Sequence, residues 1–240
     1  MPRMIPESPQ FASAAEAQIW KLLGEQLGDD DLVIHSQRVT DHEKDHEADF
    51  VVAIDGAGIV CLEVKGGEVW HDGRTWLQNR RGTPKTIDPV GQALGATYAL
   101  REFVEGHPGW TKGRLRWDHM VVFPNTVVSA DFALPECPRW KVVDRTDLDN
   151  LMPLIRRASL QKQQDLAFLD TSGIDQLTTA LGGRGLPQRD VVARSLANES
   201  AADLLTEQQS TLLGAISLLN RVEIRGGAGS GKTFLALEQA

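Results

Sequence analysis

Cysteines and long apolar runs are scarce in this sequence. Its 240 residues include only two cysteines, Cys61 and Cys137, which lie far apart and form no metal-ligand spacing. Neither a disulfide framework nor a zinc knuckle is therefore indicated. The default expectation is a protein of the reducing cytoplasm.

No stretch of about 18 apolar residues occurs in the chain, as a membrane-spanning helix would require. The first ten residues contain three prolines and no apolar run long enough for a signal peptide. Internal repeats and low-complexity tracts are absent as well. We therefore expect neither export nor a membrane partner.

The composition is that of a soluble globular protein, with 41% hydrophobic and 24% charged residues. A length of 240 residues suits one large domain, or one medium domain followed by part of another.

The formal net charge of -8 argues against a nucleic-acid partner, but the charges are segregated along the chain. Residues 1–64 carry 4 basic and 13 acidic side chains, whereas residues 65–116 carry 9 basic and 5 acidic ones. Attraction to phosphate acts over a Debye length of about 8 to 10 Å, so the local charge of the basic segment, and not the net charge of the chain, determines whether nucleic acid can bind. A bound metal would also reverse the sign of an acidic pocket.

Residues 47–67 predict two strands joined by a tight turn, with charged residues where a packed hairpin should be apolar. Val, Ile and Phe dominate both strands, and Asp-Gly-Ala-Gly at 55–58 supplies the turn. Burying Asp49, Glu63 and Lys65 in such a hairpin is costly unless something is bound there.

The length of the turn decides whether these three side chains meet. Glu63 and Lys65 are two apart on one strand, so both leave the same face. A two-residue loop would place Asp49 on the opposite face, whereas a three-residue loop with a bulge at Gly58 would pair Asp49 with Lys65. We therefore predict an odd-numbered loop.

The helix predicted at residues 12–27 carries another candidate, Glu16. Ser13 is a possible N-cap, and Glu16 lies one turn from the apolar stripe. A solvated first-turn glutamate, favoured by the helix dipole, is the simpler interpretation of Glu16 alone.

A second helix is predicted from Asp88-Pro89 to about residue 104, with Gln92 in its first turn. The residues predicted for its buried side are Leu94, Tyr98 and Phe103. Further strands are predicted at 118–123 and 140–143, and helices at 147–157, at 161–169 and in a short piece ending near 181.

The segment from His42 to His46 matches the zinc-protease pattern H-E-x-x-H. That chemistry needs both histidines one turn apart on a helix packed into the core. Because nearly every position here is charged, and only two residues remain before the strand of Asp49, a solvated loop is favoured.

A second hairpin is predicted around the turn Asp72-Gly73, across which Trp70 and Trp76 can face each other. Residues 80–85 and 107–116 are predicted as basic loops.

Two carboxylates and a lysine on one face suit a hard, oxygen-liganded cation such as Mg²⁺ or Mn²⁺, with a water beside it. The metal would neutralise a phosphodiester and lower the pKa of its water, while Lys65 orients the nucleophile or balances charge. The alternative is a buried lysine–carboxylate ion pair in an ordinary sheet, which is a poor stabiliser compared with apolar residues.

Asp49 followed by Glu63-Val64-Lys65, with Glu16 in the preceding helix and Gln92 in the following one, resembles the NERD domain. This is the nuclease-related branch of the PD-(D/E)xK endonuclease superfamily. The resemblance covers about residues 12–125 and implies a restriction-endonuclease-like α/β fold, a mixed sheet flanked by helices.

The resemblance also implies roles for the residues. Asp49, Glu63 and the carbonyl of Val64 would hold the metal, and Lys65 would act at the water. Glu16 would be an auxiliary acidic group and Gln92 a contact to substrate or to the catalytic groups. Ala48 stands where the superfamily name expects proline, a position that is commonly relaxed.

A glycine-rich break at residues 182–187 separates this part from the rest. We expect a disordered N-terminus at 1–11, the NERD nuclease-like domain at 12–181, a linker at 182–203 and the start of a P-loop NTPase domain at 204–240.

The segment from Gly226 to Thr233 fits G-x-x-x-x-G-K-[ST], after a predicted strand and before a helix. Backbone amides around Gly226, Gly229 and Gly231 would cradle phosphate. Lys232 would reach the β and γ phosphates, and Thr233 would ligate Mg²⁺.

Residues 205–209, Leu-Thr-Glu-Gln-Gln, resemble the adenine-reading Q motif of UvrD-like superfamily 1 helicases, with Gln209 at the matching place. Seven residues follow Thr233, without an acidic Walker B strand, an arginine finger or a second motor lobe. We therefore expect weak ATP binding at best, no hydrolysis, and a longer nuclease–helicase of which this is the N-terminal part.

Three functions remain open at this point. The first is a Mg²⁺-dependent DNA endonuclease module on an ATP-driven helicase, in repair or in defence against foreign DNA. The second is a catalytically inactive DNA-binding or regulatory module attached to that motor. The third is a P-loop NTPase whose N-terminal domain mediates only protein contacts.

Overall fold

The computed structural model describes residues 2–42, 44–80, 82–161 and 165–182. All of them belong to the first of two units into which the chain divides, residues 1–184. The predicted linker from residue 183 onward, the Q motif and the P-loop lie outside the described residues.

The described part of the chain forms nine strands and four α-helices. The strands are β1 (Arg3–Ile5), β2 (Leu32–Thr40), β3 (Asp45–Ala53), β4 (Ile59–Val64), β5 (Val69–His71), β6 (Trp76–Arg80), β7 (Thr83–Ile87), β8 (Trp117–Phe123) and β9 (Val142–Asp144). The helices are α1 (Ala14–Gln26), α2 (Pro89–Glu105), α3 (Leu151–Gln161) and α4 (Thr171–Leu181), with 3₁₀ turns at Arg139–Lys141 and Leu148–Asn150.

Six strands form a mixed central sheet in the order β1-β2-β3-β4-β8-β9. The pairs β2–β3 and β3–β4 are antiparallel, whereas β1–β2, β4–β8 and β8–β9 are parallel. The parallel step from β4 to β8 is made through α2, as a parallel pair requires a crossover. This is the mixed α/β architecture that the sequence predicted, a sheet flanked by helices.

Apolar side chains on both faces of the central sheet pack beneath helices. Ile19 and Leu23 of α1 pack with Ile155 of α3 on one face. Leu100 of α2 and Ile174 of α4 pack on the other face. Each face is therefore covered by two helices. A charged side chain on β3 or β4 consequently lies either beneath a helix or at the end of the strand, where the helices leave the sheet uncovered.

The N-terminus differs from the predicted disorder. Arg3–Ile5 pairs in parallel with the edge of β2, and Met4 packs against the core beneath α1. Arg3 also forms an ion pair with Asp175 of α4. Edge pairing and apolar contact together order a segment whose three prolines had predicted a loose end.

The buried side of α2 is also different from the prediction. Tyr98 and Phe103 are 61% and 48% exposed, respectively. The buried side consists instead of small residues such as Ala93 and Ala96, which let the helix approach the sheet closely, together with the aliphatic Leu100 and Val104.

Strands β5, β6 and β7 form a small three-stranded sheet inserted between β4 and α2. Its Asp72-Gly73 turn is as predicted, since the Asp72 carboxylate accepts hydrogen bonds from two backbone N–H groups and Gly73 has a φ of 94°. The predicted tryptophan pair is wrong: Trp76 lies opposite His71, with ring centroids 5.1 Å apart. In the segment predicted as a basic loop, Arg80 belongs to β6 and Thr83–Lys85 to β7, and the two strands are paired.

Two further predictions are corrected. The segment 140–143 begins as a 3₁₀ turn and becomes strand only at Val142. The helix predicted at 161–169 is absent from its described part, because α3 ends at Gln161 and Ala167 bridges to Leu115. Within the described ranges, none of the helices has the length and apolarity that crossing a membrane requires.

Candidate active site

The hairpin of β3 and β4 has an odd-numbered, three-residue loop, as predicted, but in a different register. Phe50 pairs with Leu62 and Ala53 with Ile59, and the N–H of Ile54 donates to the carbonyl of Gly58. The loop is therefore residues 55–57 rather than 56–58. Gly56 takes the left-handed conformation, with a φ of 67°, and Gly58 does not, so the predicted bulge at Gly58 is wrong.

An odd number of loop residues places the three charged side chains on one face of the hairpin. Extending the register by one residue places Asp49 opposite Glu63 instead of opposite Lys65. Residues directly opposed in an antiparallel pair share a face, as do residues two apart on one strand. Asp49, Glu63 and Lys65 therefore converge at one end of the hairpin.

Strand β3 is distorted at Asp49. Ala48 packs in the core beneath α2, whereas Phe50 packs beneath α1, although residues two apart in a regular strand share a face. On β2, the facing residue Ser36 has a φ of 53°, which is unusual for a residue other than glycine. The alternation of side chains along β3 is therefore interrupted at Asp49, where the backbone of β2 is also irregular.

The charged residues surround a cleft of about 520 Å³, which we call the carboxylate cleft. Four of the five catalytic candidates from the sequence line it. The complete lining is Lys44, Asp45, His46, Glu47, Asp49, Glu63, Lys65, Asp88, Gly91 and Gln92.

Direct contacts link the three central residues. Lys65 forms an ion pair with Glu63, whose side chain is almost fully buried. The backbone N–H of Val64 donates a 2.7 Å hydrogen bond to Oδ2 of Asp49. The backbone N–H of Lys65 turns the other way and donates to the carbonyl of Val122 on β8.

Burial, and to a smaller extent neighbouring carboxylates, raise the pKa of both Asp49 and Glu63. Desolvation raises the pKa of Asp49 to about 6, against the opposing effects of the Val64 N–H and Lys65. Desolvation and the nearby Asp49 raise the pKa of Glu63 to about 7, and Lys65 offsets only part of this. Uncompensated negative charge of this kind favours a cation.

These donors fit a hard divalent cation. Mg²⁺ takes oxygen ligands, usually from only one or two carboxylates, and keeps several waters. The described residues contain no group of three or more His, Cys, Asp or Glu side chains placed to hold a metal by themselves. The pair Asp49 and Glu63, with the Val64 carbonyl, suits Mg²⁺ better than a metal that demands a cage of protein side chains.

Glu16 is not solvated, and it lies outside the cleft lining. Its carboxylate accepts hydrogen bonds from Ser13 Oγ at 2.9 Å and from the N–H of Ala12 at 3.1 Å, and lies 3.3 Å from Nε2 of His35. Ser13 caps α1 as predicted. The charge of Glu16 still contributes to the raised pKa of Asp49.

The N-terminus of α2 forms the opposite wall of the cleft. Asp88 caps the helix by accepting from the N–H of Gly91, and Gln92 lies on the first turn. Peptide dipoles make a helix N-terminus attractive to anions. This wall therefore presents an amide side chain and a positive helix end to the carboxylates across the cleft.

The zinc-protease pattern is not realised. His46 belongs to β3 rather than to a helix, and its Nε2 lies 2.8 Å from Oδ2 of Asp41. The ring also packs against Gly95 of α2. Lys44 and Asp45 line the cleft, so this stretch is part of its rim rather than a metal site.

Glu47 is the cleft residue that sequence reasoning missed. It raises the pKa of both Asp49 and Glu63, and it is held by Ser36 Oγ at 2.6 Å and Arg38 Nε at 3.1 Å. The acidic residues Asp45, Glu47 and Asp49 recur at every second position. This spacing, which is typical of one face of a strand, could have predicted Glu47 as a residue of the same site as Asp49.

Residues 12–124 match the NERD family, described as a nuclease-related domain. Over this range the chain is similar to a NERD domain. The matched range includes β3, β4 and α2, the elements that line the carboxylate cleft, and it ends just after β8. No curated protein and no solved structure matches the chain. A nuclease-related domain implies a nucleic-acid partner.

Proposed function

We propose that the NERD domain is a metal-dependent DNA endonuclease that hydrolyses phosphodiester bonds in the carboxylate cleft. The observation that carries this proposal is the convergence of Asp49, Glu63 and Lys65 at the splayed end of one hairpin. The raised pKa values of both carboxylates support it, because a structural ion pair would leave less negative charge uncompensated.

Asp49, Glu63 and the Val64 carbonyl would hold Mg²⁺ or Mn²⁺. When bound, the cation would neutralise a phosphate oxygen and lower the pKa of a water. Asp49 is oriented for this by the Val64 N–H, which fixes one of its two oxygens. Glu47 adds negative charge that strengthens cation binding.

Lys65 would hold the attacking water and balance the charge of the phosphodiester. Its ammonium is anchored by Glu63 and is mostly shielded from solvent. Gln92, across the cleft, would contact the phosphodiester or the water through its amide. Glu16 acts from outside the cleft, through its charge on Asp49.

Nicking of supercoiled plasmid by the purified chain tests this proposal. We expect cleavage with Mg²⁺ or Mn²⁺, none in EDTA, and loss of cleavage in Lys65→Ala. Lys44→Ala, which removes an exposed lysine from the rim of the same cleft, is the matched control and should keep most of the activity. DNA that is bound but never cut with either metal would instead favour the inactive binding module.

We further propose that residues 204–240 contribute the nucleotide-binding start of an ATP-driven DNA motor. The support is the sequence alone: the Walker A pattern at 226–233 and the Q-motif glutamine, Gln209. Binding of a fluorescent ATP analogue that is lost in Lys232→Ala would support this. Equal binding by both proteins would contradict it.

A further inference from the structure

The small sheet carries two exposed cations beside the catalytic hairpin. Gln78 on β6 pairs with Lys85 on β7, and Arg80 pairs with Thr83. Opposed residues share a face, and so do residues two apart, so Gln78, Arg80 and Lys85 lie on one face of this sheet.

That face is turned towards the end of β4. The Gln78 amide donates a 2.6 Å hydrogen bond to the carbonyl of Gly66, the residue that follows Lys65. Arg80 Nε in turn donates to Oε1 of Gln78 at 2.9 Å. A chain of hydrogen bonds thus ties the guanidinium of Arg80 to the backbone next to the catalytic lysine.

The two cations are not neutralised locally. Among the described residues, neither Arg80 nor Lys85 takes part in an ion pair. The carboxylate of Glu68, on the same sheet, is bonded to Asn79, whose side chain leaves the opposite face. Both cations are exposed.

From this arrangement we propose that Arg80 and Lys85 form a phosphate clamp, which binds the nucleic-acid backbone next to the bond that is cut. The inference rests on the proposed nuclease function and names how its substrate is held. Arg80 and Lys85 are diagonal neighbours, about 7 to 8 Å apart, so each can contact a different phosphate. Arginine suits such contacts because its planar group bonds phosphate at two points.

The other basic segment of the sequence does not serve this purpose. Arg114 precedes β8, whose first residue lies beside the first residue of β4. The catalytic lysine follows the last residue of β4, so Arg114 lies at the far end of the central sheet. Arg74 follows the Asp72-Gly73 turn, at the end of the small sheet away from Arg80.

The test is the salt dependence of DNA binding. Affinity of the chain for a short fluorescent duplex is measured by anisotropy at several salt concentrations, with Ca²⁺ in place of Mg²⁺ and cleavage monitored in the same samples. Arg80→Gln/Lys85→Gln should lower the magnitude of the slope of log K against log salt by about 1.8, and the affinity at 0.1 M salt by on the order of 10- to 100-fold.

Arg74→Gln/Arg114→Gln is the matched control, because it removes the same charge from exposed sites away from the clamp; it should change the slope by much less. Lys85→Gln alone, which touches no hydrogen bond of the sheet, should give about half of the double variant's effect. Equal slopes for the clamp variant and the control, or no DNA binding by the unaltered chain, would overturn the clamp. Normal binding and slopes without Mg²⁺-dependent nicking would overturn only the nuclease function.

Discussion

Oδ2 of Asp49 accepts a 2.7 Å hydrogen bond from the backbone N–H of Val64, the residue that separates Glu63 from Lys65. Successive N–H groups on a strand point in opposite directions, and that of Lys65 is bonded to β8. The Val64 N–H therefore points towards β3 and is satisfied by a side chain where the two strands part. This hydrogen bond therefore holds the carboxylate of Asp49, on β3, next to Glu63 and Lys65 at the end of β4.

Asp49→Asn should remove the charge but keep an oxygen that accepts from Val64. We expect the unfolding temperature to change by only a few degrees, while Mn²⁺ binding, measured by calorimetry, weakens at least about tenfold, since even loss of a ligand's hydrogen-bond partner costs that much. Asp45→Asn, on the exposed rim, is the control and should stay near the unaltered affinity. Equal binding by both variants would remove Asp49 from the metal site.

Stability without metal should depend on pH in a defined direction. The pKa of Asp49 rises from 3.8 to about 6 and that of Glu63 from 4.5 to about 7 on folding, so the folded state holds more protons than the unfolded chain between about pH 4 and 7. The free energy of unfolding contributed by these groups is fully present below pH 4. This contribution is lost as pH rises through 6 to 7, by at most about 3 kcal/mol for each carboxylate.

Urea unfolding in EDTA at pH 5 and pH 8 checks this dependence. The comparison is with Asp49→Asn/Glu63→Gln, which cannot titrate at either position. From pH 5 to pH 8, the stability of the unaltered chain should fall relative to that of the double variant. A difference that stays constant, or that moves the other way, would count against the raised pKa values.

Glu16→Ala should destabilise the fold, because it leaves the start of α1 and the buried His35 without their shared carboxylate. A cost of about 1 to 3 kcal/mol is expected in thermal unfolding. Glu25→Ala, on an exposed face of the same helix, should cost no more than about 0.5 kcal/mol. If Glu16 also assists the site through its charge, Glu16→Gln should slow the nicking of plasmid while the unfolding temperature changes little. A lower nicking rate that is accompanied by a matching fall in unfolding temperature would make the role of Glu16 structural.

Gly66→Ala should push the hairpin end away from α1. The added Cβ would lie 2.7 Å from Cβ of Ala15, closer than such atoms approach. Overpacking of this kind costs about 1 to 3 kcal/mol, and here it should also reduce nicking, because Lys65 is adjacent. Ala15→Gly in the same chain removes the colliding atom, so the double variant should be more stable than the sum of the two single changes predicts. Simple additivity would show that the contact is relaxed elsewhere.

Several parts of the fold followed from local pattern alone. The period of two placed Glu63 and Lys65 on one face, Ser13 was recognised as the cap of α1, and Asp88-Pro89 was recognised as the start of α2. These features depend on residues a few positions apart, so the chain itself carries the information. The buried side of α2 was not predicted correctly from the sequence. Large residues such as Tyr98 were assigned to it, whereas smaller residues such as Ala96 contact the sheet in the structure.

The amino-acid sequence by itself determined which chemical groups the site contains and that an odd loop was needed to unite them. Only the tertiary structure decided the register of the hairpin loop, the irregularity of β3 at Asp49 opposite Ser36, and the hydrogen bond between Glu16 and His35. The position of the small sheet beside Gly66 is also known only from the tertiary structure. Each of these depends on packing between segments far apart in sequence, which no local periodicity encodes.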